Sequence, residues 1–168
     1  RYFHGTQDEF VNIFGGSTFK DKTDTHSAFA ELTYALTPQV DVTAASRLER
    51  EHRRRDGGSQ AVRIDFDETY TVFLPKLDVA WKPTDTQTYG AKIARGYNAG
   101  GGGITIGTPV VSYTYGSEYV WNYELYTRHH LKDANVVLTG NIFYNDYKDM
   151  QLPYSLGENS SVIRNADK

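Results

Sequence analysis

Along much of this chain, apolar and polar side chains change places at every residue, and no stretch repeats with the 3.6-residue period of an amphipathic helix. Val40, Val42, Ala44, Ser46 and Leu48 fall on one side of an extended backbone. Asp41, Thr43, Ala45, Arg47, Glu49 and Glu51 fall on the other. Ala28, Ala30, Leu32 and Tyr34 alternate with Phe29, Glu31 and Thr33, and the Leu36-Thr37-Pro38-Gln39 step between the two runs is of hairpin type. The pattern returns at Thr71, Phe73, Leu77, Val79 and Trp81, turns at Lys82-Pro83-Thr84-Asp85, and resumes at Tyr89, Ala91 and Ile93. It returns again at Tyr119, Trp121, Tyr123 and Leu125, with a turn at Leu131-Lys132-Asp133-Ala134 leading into 135–149. The periodicity predicts an all-β chain with strands over 25–35, 40–53, 67–81, 86–97, 117–131 and 135–150. Pro75 inside one run predicts a strand start or a bulge near it.

These strands exceed the ~5–6 residues usual in soluble sheets and suit the ~9–11 needed to cross a bilayer at a tilt. The turns inside each hairpin are short, whereas the connections over 54–65, 98–116 and 153 onward are long. Short turns at one end and long loops at the other are the asymmetry of an outer-membrane barrel. The longest apolar run is three residues, as in Tyr119-Val120-Trp121, so no helix here can span a membrane. A lipid-facing strand is not excluded, because only every second residue must be apolar. Tyr34, Trp81 and Tyr89 flank the short turns, where rings with a polar tip suit a membrane–water interface. The expectation is an antiparallel transmembrane β-barrel segment of about six to eight long strands. A soluble sheet with an aromatic rim is the competing reading.

Charge and composition remove several function classes. Eighteen basic residues against 21 acidic ones give a net charge of -3, which argues against a polybasic nucleic-acid binder. With no cysteine there are no disulfides, thiolate metal sites or cysteine nucleophiles. No Gly-x-Ser-x-Gly elbow and no His-Glu-x-x-His helix occurs, so no catalytic residue is assigned and an enzyme is not expected. His129-His130 is a poor metal pair, because neighbours on a strand point to opposite faces. Asp65 and Asp67 share a face without the 6–8 oxygen shell that calcium takes, so no metal or cofactor is assigned.

Three stretches carry a resemblance. Phe73-Leu74-Pro75-Lys76-Leu77 runs on to Trp81-Lys82-Pro83-Thr84-Asp85, and Arg95-Gly96-Tyr97-Asn98-Ala99-Gly100-Gly101 follows. Glu118-Tyr119-Val120-Trp121-Asn122-Tyr123-Glu124-Leu125 is then followed by Phe143-Tyr144-Asn145-Asp146-Tyr147-Lys148-Asp149 and Arg164-Asn165-Ala166. In this order they resemble the barrel domain of TonB-dependent outer-membrane receptors over roughly 70–168, with 25–53 matching more loosely as a hairpin. The resemblance implies a barrel of about 22 strands with a plugged lumen, of which 1–168 is a partial barrel domain without the N-terminal plug and the final strands. It places residues 1–24 in an outer loop. It implies a bacterial outer-membrane location and import of a scarce small-molecule nutrient, such as an iron–siderophore complex, energised by the TonB complex through the plug. A segment of this size is not expected to transport alone. A soluble carbohydrate-binding module and a small structural or adhesive barrel are the alternatives.

On that reading, Gly100 to Gly103 is an outer-loop tip lacking the Lys-Ser/Thr of a phosphate loop, and Tyr97, Asn98, Tyr113 and Tyr115 are the candidate ligand contacts. Alternation sends Arg50, His52 and Arg54 outward and Glu49, Glu51, Arg53 and Arg55 inward. Outward Arg50 and Arg54 would lie just above the lipid, where guanidinium can pair with lipopolysaccharide phosphate. Glu124 and Lys92 are expected to line the lumen.

Overall fold

The alternating runs pair with their neighbours in chain order. The computed structural model describes residues 1–11, 16–59, 61–105, 107–157 and 159–166. Its long strands are β1 (Tyr2–Val11), β2 (Ser17–Thr37), β3 (Val40–Gly58), β4 (Arg63–Thr84), β5 (Gln87–Asn98), β8 (Glu118–Leu131) and β9 (Val136–Lys148). Two small hairpins join β6 (Gly101–Ile104) to β7 (Ser112–Tyr115) and β10 (Gln151–Gly157) to β11 (Ser160–Asn165). The seven long strands form one antiparallel sheet in the order β1-β2-β3-β4-β5-β8-β9. β1 and β9 are its edges, so it is an open wall and not a closed cylinder.

One end of the wall is a rim of tight turns. β2 and β3 meet at Pro38-Gln39, β4 and β5 at Asp85-Thr86, and β8 and β9 at the 3-10 turn Lys132–Ala134. Backbone bonds from Lys82 N–H to Gln39 O (2.7 Å) and from His130 N–H to Thr86 O (2.8 Å) tie the turns together.

The other end departs from the expected boundaries. The described residues of 1–24 are not a loop: β1 pairs with β2 from Tyr2↔His26 to Val11↔Ser17. Nor are the described residues of 54–65 one, since the β3–β4 ladder runs on to Gly58↔Arg63 and Val62 N–H donates to Ser59 Oγ. The stretches 98–116 and 153 onward likewise hold the hairpins β6–β7 and β10–β11. At this end polar residues occur on both faces, so alternation is reduced to short steps such as Ile64 and Phe66. Cross-strand hydrogen bonding carries the ladders there, with the small Phe19, Ile64 and Phe66 cluster packed on one face.

Register gathers the apolar residues on one face. Tyr34, Val42, Val79, Ala91, Leu125 and Ile142 form one row across six strands, and Leu32, Ala44, Leu77, Ile93, Tyr123 and Tyr144 form the next. Leu32 and Ile142 are 72% and 77% exposed. A soluble sheet would bury such a belt. From Val40 to Leu48 it runs about 26 Å along the strand, which at the ~35–45° tilt of barrel strands covers most of their ~25 Å apolar band. Trp81 and Tyr89 close it at the turn end, with ring centroids 5.6 Å apart.

No helix among the described residues is long and apolar enough to cross a membrane. The small buried core lies elsewhere, where Phe19, Ile64 and Phe66 meet on the opposite face near the far end.

That opposite face carries charges in pairs. Lys92 Nζ lies 2.6 Å from Glu124, Lys76 Nζ 3.1 Å from Glu31, and Lys82 Nζ 2.6 Å from Asp41. Here Gly90 sits opposite Tyr126, whose ring covers it while its hydroxyl donates to Asp78 at 2.9 Å. A Cβ on Gly90 would come within 2.0 Å of Tyr126 Cζ. Gly90→Ala is therefore expected to unseat the ring and cost about 1–3 kcal/mol, read as a lower thermal unfolding midpoint in detergent. The same substitution in a Tyr126→Ala background should cost far less.

Candidate functional site

At Pro75 the wall changes character. Proline has no N–H to donate, and beside it the β4–β5 ladder ends, at Lys76↔Ala94. No bulge interrupts the β3–β4 pairing there; Pro75 stands in register opposite Ser46. Beyond Ala94, β5 stays paired to β8 alone, which frees its end to reach the charged face of β3. Tyr97 Oη donates to Glu51 Oε2 at 2.6 Å, and its ring lies 6.5 Å from Tyr70 and 6.1 Å from Tyr119.

Glu51 also accepts from Arg53 Nε, and Glu49 accepts from Arg47, so both nearly buried carboxylates are paired.

β5 thereby carries the glycine-rich segment onto the sheet. In the β6–β7 hairpin Gly101 faces Tyr115 and Gly103 faces Tyr113. Each ring folds over the glycine opposite: a Cβ there would lie 2.6 Å from Tyr115 Oη or 2.8 Å from Tyr113 Oη. The two rings stack with centroids 6.4 Å apart. Gly102 lies against Ile64, and Ile104 packs on the Phe19, Ile64 and Phe66 cluster. Burial raises the Tyr113 hydroxyl pKa.

Two cavities, of about 260 and 360 Å³, flank Arg55. Its guanidinium is fixed by Glu9 at 2.9 Å and Asp21 at 3.0 Å, over the Phe19 ring. One cavity borders Tyr113 and the other Tyr115. The cavities are thus bordered by tyrosine rings and by a guanidinium held in place by two carboxylates.

The four expected ligand contacts divide. Tyr113 and Tyr115 stand together on the hairpin beside the cavities. Tyr97 has its hydroxyl engaged by Glu51, and Asn98 donates to Gln151 Oε1 at 3.0 Å. Arg50 and Arg54 lie on the face of the apolar belt, two and six residues past Leu48, with Arg54 opposite Lys22 and Asp67. Asp67 accepts from His52 at 2.7 Å, and His129 and His130 fall in adjacent register positions that point to opposite faces. No cluster of three metal-ligating residues occurs among the described residues.

Sequence reasoning missed Arg55 as a mouth residue, along with Glu51 and Tyr70. Alternation did point Glu51 and Arg55 inward, and only the fold shows what meets them.

An antiparallel wall, apolar outside, ion-paired inside and mouthed by inward-turned hairpins, defines a piece of a membrane β-barrel. The chain belongs to the TonB-dependent receptor-like β-barrel family, whose model matches residues 1–168. It is 28% identical over 156 residues to the pesticin receptor of Yersinia enterocolitica and 27% identical to that of Yersinia pestis. Each alignment covers 90% of this chain and 23% of the relative, so the chain spans about a quarter of the length of the curated relatives it matches.

Among solved structures it is similar to the ferric yersiniabactin uptake receptor FyuA of Yersinia pestis, with TM-score 0.64 and 25% identity over 82% of this chain and 22% of that one. It shares its fold with the alcaligin outer-membrane receptor FauA of Bordetella pertussis, with TM-score 0.57 and 12% identity over 96% of this chain and 32% of that one.

Proposed function

We propose that this chain is part of the barrel wall of a bacterial outer-membrane receptor that imports a small scarce nutrient, a ferric siderophore being the class that the similar receptors suggest. Import would be energised by the TonB complex acting through a plug domain outside residues 1–168. Its family is one of transport receptors and not of enzymes. The observation that carries the reading is the split of faces, with an apolar belt outside and ion pairs such as Lys92–Glu124 inside. A soluble carbohydrate-binding sheet would not leave Leu32 and Ile142 bare.

In this reading Tyr113 and Tyr115 touch the ligand, and Tyr97 and Asn98 shape the mouth behind them. Replacing Tyr113 and Tyr115 together by alanine in the complete receptor is expected to weaken ferric-siderophore binding about tenfold or more, as two stacking contacts are lost. Unchanged affinity would remove the mouth from the binding site. Outward Arg50 and Arg54 bind lipopolysaccharide phosphate. Arg50→Ala with Arg54→Ala is expected to reduce the lipopolysaccharide that copurifies with the receptor, and an unchanged amount would refute that contact.

A further inference from the structure

The two outer hairpins, β6–β7 and β10–β11, are joined by side-chain amides at their necks. Asn165 Oδ1 accepts from Gly116 N–H at 2.6 Å, and Asn165 Nδ2 donates to Gly116 O at 3.1 Å and Asp149 O at 2.7 Å. One side chain therefore ties the end of β11 to the start of β10 and to the end of the other hairpin, 49 residues away. Gln151 works on the same carbonyl from the opposite side: its Nε2 donates to Gly116 O and to Ala99 O, both at 3.0 Å. Gly116 O thus receives both amides, and Ala99 and Gly116 bracket the β6–β7 hairpin. A second attachment lies at the far end, where Ser160 Oγ donates to Pro109 O at 3.0 Å from a side chain only 1% exposed. Two hairpins fastened at two separated points cannot swing independently without breaking one of the joints.

We propose that Asn165 couples the β6–β7 and β10–β11 hairpins into one body over the mouth, making it a positioning residue for Tyr113 and Tyr115. An amide suits this joint because it donates and accepts at once. A carboxylate would set a negative oxygen against the carbonyls of Gly116 and Asp149. The interest of the coupling for ligand capture rests on the proposed ligand-facing role of the two tyrosines, but the coupling itself is measured without ligand.

The test is amide hydrogen exchange on the complete, ligand-free receptor. Asn165→Ala is expected to speed exchange about tenfold or more over Gly101–Ile104 and Ser112–Tyr115 as well as in β10–β11, as expected when one or two hydrogen bonds that join the hairpins are lost. The β2–β3 ladder should stay unchanged. Asn165→Asp should release the hairpins at least as far, and exposed Ser161→Ala on the same strand should do nothing. If Asn165→Ala fails to assemble, Gln151→Ala opens the same joint from the other side. Faster exchange confined to β10–β11 would overturn the coupling, and so would a rise spread evenly through β2 and β3. Unchanged ligand affinity after loss of Tyr113 and Tyr115 would instead count only against the ligand-facing reading.

Discussion

Leu77→Arg in the complete receptor is expected to destabilise the barrel by about 2–4 kcal/mol, the cost of a charge on the lipid face near mid-membrane. Leu77 lies between Ala44 and Ile93 in the middle of the apolar belt, and no acidic side chain shares its row. The neighbouring residue supplies the contrast. Lys76 is one position away, turned to the other face and paired with Glu31. Lys76→Ala removes one partly exposed ion pair and should cost no more than about 1 kcal/mol. Unfolding of the receptor from lipid vesicles, or the yield of folded barrel in the membrane, would read both. Equal tolerance at the two positions would mean that the belt does not face lipid, and the membrane reading would fall with it.

Gly57→Ala should strike the opposite end of the wall. Gly57 has φ 149° and lies between Phe19 and Ile64 in register, under the small core. A Cβ there would stand 2.0 Å from Thr18 O and 2.7 Å from Phe19 Cα. Both are backbone atoms of β2, so no side-chain rotation relieves the clash. Backbone strain of about 1–3 kcal/mol adds to overpacking of about 1–3 kcal/mol. Because the belt lies some ten residues away along β3, the barrel should still assemble while its outer tip opens. The expected signature is protease cleavage near Ser59 and loss of the Phe19–Ile64–Phe66 packing, with belt residues still protected. A tip as resistant as the wild type would show that the strands can separate there at little cost. The contrast with Gly90 is one of kind, since there the obstacle is a tyrosine ring that can turn away.

The site was less legible than the wall. Arg53 and Arg55 were readable as inward and Arg50 and Arg54 as outward, because a strand allows only two sides and the charged run adjoins a clear alternation. The glycine run was conspicuous, yet nothing local says that it folds down onto Ile64. That depends on β5 leaving β4 at Pro75, on Tyr97 finding Glu51 46 residues back, and on Asn165 holding Gly116. Each of these contacts joins segments far apart in the chain, and none has a periodic signature.

Where lipid lies on one side and water on the other, as over 28–37, 40–48 and 73–81, every second residue must change polarity. There the amino-acid sequence by itself determined strand and face, while the pairing register came from the fold. Over Tyr2–Val11, the first part of β2 and Arg54–Gly58, both faces carry polar residues and that contrast vanishes. Only tertiary structure decided that these residues extend the sheet and that the glycine hairpin turns inward. Backbone hydrogen bonds between neighbouring strands and a few long-range side-chain contacts supply the free energy there, and neither leaves a mark in the order of residues.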